Sequence, residues 1–284
     1  MEGLRAELCM ATTATIRVWP AGFVRFRDLM LSLAWRDLRV RYKQSLLGIV
    51  WAVLVPFSMM LIFTFVFTRA VDASSVLGIS MPYALYAYSG LVPWTFFAAS
   101  LSACVSSLVA NRNLVTKVYF PREVFPLSCV AGSFVDFCVA FSVLAGLMLY
   151  FQAKGDWTLR GGPALFFVPV VVTVQIALTV GLGLLLAMAN LFYRDVRQIF
   201  GAVIQLAMFV SAVVVPVPKD GSWAARVVAV NPMIYIIGAY RDCILEGQLP
   251  GPAGFTYAAA VSLFVLAAGW FLFRRAADRF AECI

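Results

Sequence analysis

Six runs in this chain of 284 residues hold no Lys, Arg, Asp or Glu, or only one. They are Gln44–Thr68, Ala73–Asn111, Val124–Ala153 (broken only by Asp136), Gly161–Tyr193, Gln198–Pro218 and Gly247–Phe273. No other feature constrains the fold as tightly. A helix rises ~1.5 Å per residue, so about 20 apolar residues cross the ~30 Å hydrocarbon core of a bilayer, and each run is that long. The chain is 63% hydrophobic and 13% charged, where a soluble domain carries about 25% charge. So few charges cannot coat a water-facing surface, whereas lipid asks for no polar coat and favours helices that satisfy their own backbone. The expected fold is an all-α membrane protein with six transmembrane helices, one transmembrane unit over residues 1–284.

Six spans put both termini on one side. That side carries sixteen Lys and Arg and the other six, and the excess marks the cytoplasm. Both ends are therefore expected to be cytoplasmic, and the net charge of +8 needs no nucleic acid to explain it. The first 44 residues lack the apolar core and small-residue cleavage site of a secretory signal. Within the N-terminal stretch 1–43, an interface helix is expected over 22–41. Phe23, Phe26, Met30 and Leu33 fall on one face, and Arg25, Asp28, Ser32, Arg36 and Arg39 on the other.

Two short basic connections, 111–123 and 190–198, lie on the cytoplasmic side of this topology and suit either docking to a soluble partner or simple turns. On the far side, 216–254 contains Val227–Tyr240, uncharged but only 14 residues long and too short to span. Asn231-Pro232 is expected to start a short helix there and Arg241-Asp242 to end the apolar stretch.

The residues exclude several chemistries. No GxxxxGK[ST] loop is present, so the chain is not expected to bind ATP on its own. There is no His, and the six Cys have no CxxC spacing, so no metal site is assigned. Neither a His base nor a GxSxG turn exists, and no catalytic residue is assigned. Asp136 is the only acid well inside a span. One such group is poor support for ion coupling, and the favoured reading is a hydrogen bond to a Ser or Tyr of a neighbouring helix. Phe63 and Phe67 end the first span, and Tyr83, Tyr86, Tyr88 and Trp94 begin the second. They read either as the usual interface belt or as a lining on which sugar rings slide.

With these residues assembled, the sequence resembles the membrane subunits of ABC-2 type exporters, in particular the permeases for O-antigen and related cell-surface polysaccharides. The resemblance rests on five blocks in order: WRDLRVRYKQSLLGIVWAVLVP (35–56), GLVPWTFFA (90–98), NLVTKVYFPR (113–122), YRDVRQI (193–199) and NPM (231–233). It implies two copies of the permease driven by two copies of a separate ATPase, exporting a lipid-diphosphate-linked polysaccharide across the bacterial inner membrane. It also implies an ATPase-coupling helix in 111–123, with Asn111, Asn113, Lys117, Tyr119, Phe120, Pro121 and Arg122, and a second contact at Arg194 and Asp195. Arg36, Arg39, Arg41 and Lys43 would meet the carrier's diphosphate, since guanidinium forks suit phosphate. Phe63, Phe67, Tyr83, Tyr86, Tyr88 and Trp94 would line the glycan channel. Short helices with Asn231, Pro232, Tyr235 and Tyr240 would gate its outer mouth. One departure is SAVVVPVP (211–218), valine-rich where an aromatic is expected at the end of the fifth span. Capsular or teichoic-type polymers are alternative cargoes. An ion-coupled carrier, an embedded transferase and a structural subunit are the competing classes.

Overall fold

Prolines, glycines and two asparagines mark several of the helix ends. The structure, a computed structural model, describes residues 19–43, 48, 50–69, 81–112, 114, 121–158, 162–214, 226, 228–277 and 280, without the side chains of 19–25 and 69. Helix α1 is Trp19–Lys43 and α2 is Val50–Arg69. Helix α3, Tyr83–Ala110, starts directly after Pro82. Helix α4, Val124–Lys154, stops at Gly155, whose φ of 81° only glycine adopts cheaply. A turn of 3₁₀ helix, Pro163–Phe167, feeds α5, Val168–Phe192, and α6 is Val196–Val210. In α7, Pro232–Arg241, Pro232 opens the first turn and the Asn231 side chain accepts from Met233 N at 3.0 Å. A wide π-helical turn, Asp242–Glu246, follows and closes at Gly247. Helix α8 is Pro252–Ala277. Every element among the described residues is helical.

Among the described residues, five stretches are long and apolar enough to cross a membrane: α2, α3, α4, the 3₁₀ turn with α5, and α8. The sixth run is different. The expectation for Gln198–Pro218 was a full span, but α6 ends at Val210 after 15 residues, about 22 Å of helix. Residues Ser211–Val214 then leave the helix in a buried turn, with Ala212 at a φ of 53°. A left-handed backbone at a non-glycine residue stops the helix outright.

Helix α3 is the hub, with 61% of its apolar window buried against 11% for α2. It packs on α4 and α5, and α5 packs on α8. The α5–α8 crossing brings two glycines together. A Cβ on Gly181 would lie 2.6 Å from backbone atoms of Val265 and Leu266, and one on Gly269 would lie 2.5 Å from the Gly181 carbonyl. Without a hydrophobic drive between helices in lipid, such close backbone approach is the main source of association.

Helix α1 keeps the expected faces. Leu33 is buried, Phe26 and Met30 are half-buried against the core, and Asp28, Ser32, Arg36 and Arg39 are exposed. The helix lies along α4. The side chains of Phe23 and Arg25 are outside the described set.

Candidate functional site

Polar and aromatic groups gather in three places. At the end of the bundle where α3 begins, Arg241 is buried and every one of its donors is used. Nε donates to Ser89 Oγ at 3.4 Å. Nη1 donates to the Tyr86 hydroxyl at 3.0 Å and the Ala212 carbonyl at 2.9 Å. Nη2 donates to the carbonyls of Tyr86 at 3.2 Å and Val213 at 2.7 Å. Its guanidinium carbon sits 3.7 Å from the Tyr86 ring centroid, close enough for a desolvated cation–π contact. No carboxylate pairs with it among the described residues.

The cation holds the irregular turn after α6 against α3, and other groups finish the work. Tyr83 donates to the Val214 carbonyl at 3.1 Å, and Asn231 Nδ2 donates to Ser211 Oγ at 2.8 Å. A second buried chain runs through the centre: the Tyr240 hydroxyl donates to Gln175 Oε1 at 2.8 Å, and Gln175 Nε2 donates to the Pro93 carbonyl at 2.7 Å. Helices α7, α5 and α3 are thus joined by hydrogen bonds in an apolar interior, where such groups need partners.

Four of the aromatics expected at a glycan channel belong to this packed region. Tyr83, Tyr86, Tyr88 and Trp94 are all buried within the chain, because they sit on the hub helix, and Tyr88 donates to the Ala140 carbonyl at 3.4 Å. Phe63 and Phe67 are half-buried on α2, and Phe67 stacks on Tyr83 at 5.3 Å. Of the expected gate residues, Asn231 caps α7, Pro232 opens it, Tyr235 packs edge-on against Tyr257 at 5.6 Å, and Tyr240 is core. Sequence reasoning gave Arg241 no role beyond ending an apolar stretch. Its only signal is a lone cation against 14 uncharged residues.

The second place is where α1 meets α4. Arg41 Nη1 pairs with Asp136 Oδ2 at 2.7 Å, and the Tyr42 hydroxyl donates a short hydrogen bond to Asp136 Oδ1. The expected Tyr partner for this acid is therefore present. Burial, reinforced by the neighbouring carboxylate, pushes the Tyr42 phenol up to about 12, so it stays protonated and donating. These groups rim a cavity of about 320 Å³ between α2, α3 and α4, with Trp51, Pro56, Phe96 and Phe137 in its walls. Ser133 Oγ, buried in the same wall, has no partner among the described residues. The four cations expected at a diphosphate thus divide. Arg36 pairs with Asp37 and donates to Asn111 Oδ1 at 2.9 Å, and Arg41 is held by Asp136. Arg39 lies 5.7 Å from the Trp35 ring centroid, and neither it nor Lys43 has an acidic partner among the described residues.

The third place is the opposite end of α3. Phe280 is fully buried between Phe273 at 5.1 Å and Phe192 at 6.0 Å, with the Arg122 guanidinium 5.8 Å above its ring. Beside it Arg274 Nε pairs with Glu123 Oε1 at 3.1 Å. One ring therefore joins the start of α4, the end of α5 and the tail beyond α8. Of the expected coupling residues, Asn111 caps the end of α3 by bonding the Ser107 carbonyl, Pro121 is exposed and Arg122 is on Phe280. Arg194 and Asp195 are exposed in the turn between α5 and α6. Asn113, Lys117, Tyr119 and Phe120 lie outside the described residues.

A family model for ABC-2 type transporters matches residues 28–245. The chain belongs to the ABC-2 type transporter family. Curated relatives extend this ABC-2 assignment over nearly the whole chain. An O-antigen export system permease protein, RfbA, of Myxococcus xanthus is 31% identical over 263 residues, covering 92% of this chain and 96% of the relative. RfbA of Klebsiella pneumoniae is 28% identical, covering 90% and 95%. The polysialic acid transport protein KpsM of Escherichia coli is 23% identical, covering 89% and 95%. The ABC-2 chain is a multi-pass membrane protein whose relatives are transporter subunits.

Proposed function

We propose that this chain is the membrane subunit of an ATP-driven exporter that carries a lipid-diphosphate-linked, O-antigen-type polysaccharide outward across the bacterial inner membrane. Two copies would form the path and two copies of a separate ATPase would drive it, ATP and Mg being bound there. The end-to-end similarity to an O-antigen export permease, 31% over 96% of that relative, carries the reading. A capsule-type polymer is the second reading, supported by the similarity to polysialic acid transport proteins.

Both termini face the cytoplasm in this proposal, on the side with sixteen of the 22 Lys and Arg. The Phe280 cluster then lies toward the ATPase and the Arg241 clamp toward the outside. In that orientation α6 runs from the cytoplasmic side toward the Arg241 clamp, where the Ser211–Val214 turn is held. ATPase closure pushes the 111–123 and 190–198 segments. Because Arg122 and Phe192 both bear on Phe280, the push reaches α4, α5 and α8 together. Packed helices pass such motion on as rigid bodies. The far end, where Arg241 pins α7 to α3, is where the outer mouth opens.

The test is complementation with the cognate ATPase in two deletion strains, one lacking an O-antigen export permease and one lacking a capsule export permease. Restored surface O-antigen, abolished by inactivating the ATPase, is the expected result. Rescue of the capsule strain alone would move the assignment to the second reading. Export that persists with an inactive ATPase would overturn both.

A further inference from the structure

Tyr42 also borders a second cavity, a groove of about 400 Å³ between α1 and α4. Its apolar surface comes from Trp35, Leu38 and Val135, and its rim carries Arg39 and Lys43. These are the two cations of the 36–43 cluster without an acidic partner among the described residues. They stand four residues apart, on one face of α1. We propose that this groove is a binding site for one resident anionic phospholipid, its phosphate on Arg39 and Lys43 and an acyl chain against Leu38 and Val135.

Three observations favour that occupant. Val135 is 39% exposed and lies eleven residues into α4, about 16 Å from the helix start. The floor of the groove is thus on the flank of an apolar span, beyond the reach of a soluble partner. Trp35 is 62% exposed beside Arg39, and an indole next to a cation is at home at the boundary between headgroups and acyl chains. A second copy would have to cover two unpaired cations with its own apolar spans, at a desolvation cost that an anionic headgroup removes. The walls belong to the interface helix and one span alone, so an occupant has no path through the bundle. A translocated carrier needs such a path and a resident lipid does not. Tyr42 is a wall of both this groove and the Asp136 cavity, so a lipid seated here also steadies the residue that hydrogen-bonds Asp136.

The experiment is native mass spectrometry of the purified protein, delipidated and titrated with phosphatidylglycerol or phosphatidylcholine. Retention of one phosphatidylglycerol in preference to phosphatidylcholine is expected. Arg39→Gln with Lys43→Gln should weaken that retention by roughly 30-fold, taking ~1 kcal/mol for each cation near an anionic headgroup. Arg226→Gln with Arg275→Gln, which removes as many exposed cations elsewhere, should leave it unchanged. Val135→Trp fills the groove while keeping both cations and should also release the lipid. Equal retention of the two lipids, or unchanged retention in Val135→Trp or in the Arg39/Lys43 variant, would overturn the proposal. So would displacement of phosphatidylglycerol by an equimolar prenyl diphosphate, which would make this a carrier site, or crosslinking of residue 135 to a second copy.

Discussion

Replacing Arg241 by methionine is the sharpest test of how the end of the bundle where α3 begins is held. Methionine fills much of the arginine's volume but donates nothing. The Ala212 and Val213 carbonyls, at 2.9 and 2.7 Å from the guanidinium, would each lose their donor. Both residues are buried, at 7% and 0% exposure, so water does not easily replace it. A buried carbonyl left unpaired costs about 1–3 kcal/mol, and the lost contact with Tyr86 adds about 2 kcal/mol at a desolvated site. Relief from burying a full charge offsets part of this sum. A net loss of about 3 kcal/mol follows, which lowers the melting temperature by roughly 6–12 °C for a chain of this size class. Arg241→Lys keeps the charge and three donors, so it should fall about midway between wild type and Arg241→Met. Gly90→Ala probes the same clamp from the other side, since its Cβ would come within 2.5 Å of Arg241 Nη2 and 2.6 Å of the Val213 carbonyl. A double-mutant cycle between the two positions should give a coupling energy above about 1 kcal/mol. The assay is thermal unfolding of the purified protein in one fixed detergent. Should Met and Lys variants melt together, or Met melt with wild type, the donors to the turn are not what holds it and the reasoning fails.

Three further outcomes are expected. Gly181→Leu should abolish recovery of folded protein, because its Cβ would overlap the α8 backbone. Gly201→Ala, with nothing within 4 Å of its Cβ, should be neutral or stabilising by up to about 1 kcal/mol; size-exclusion yield and melting temperature read both. Phe280→Ala should cost about 3–5 kcal/mol and, with the ATPase still bound on co-purification, should lower export per ATP hydrolysed, while Phe280→Leu recovers most of both. Asp136→Asn should destabilise by only about 1 kcal/mol, since Arg41 is 42% exposed and such pairs are weak, with Tyr42→Phe causing a loss of similar size in the same melting assay.

The spans were readable because an uncharged run of 20 or more residues has few alternatives to a membrane helix. The same signal concealed the end of α6. Nothing in Gln198–Pro218 marks Ala212 as left-handed, and the groups that hold its turn come from far along the chain, Asn231 and Arg241. The Asp136–Tyr42 bond was foreseeable in kind, since an acid inside a span must find a donor, and α1 was visibly amphipathic. The burial of Tyr83, Tyr86, Tyr88 and Trp94 was not. Aromatics near a span end look alike whether they face lipid, a channel or the core, and only the position of α3 at the hub separates these cases. The cation cluster was legible as a cluster. Its division into engaged and free members depends on Asn111 and Asp136, residues on other helices.

The loose packing of α2 has a consequence of its own. Trp51, Leu54, Phe57, Leu61, Ile62 and Phe65 are all exposed along it, and few of its side chains interlock with the hub. In water such a helix could not swing free, because every exposed leucine would resist. In a bilayer the tails welcome the same surface, so parting α2 from its neighbours sacrifices only dispersion contacts. If a wall of this molecule yields sideways, the least resistance is there, while the glycine-locked pair α5 and α8 serves as the fixed post it turns against.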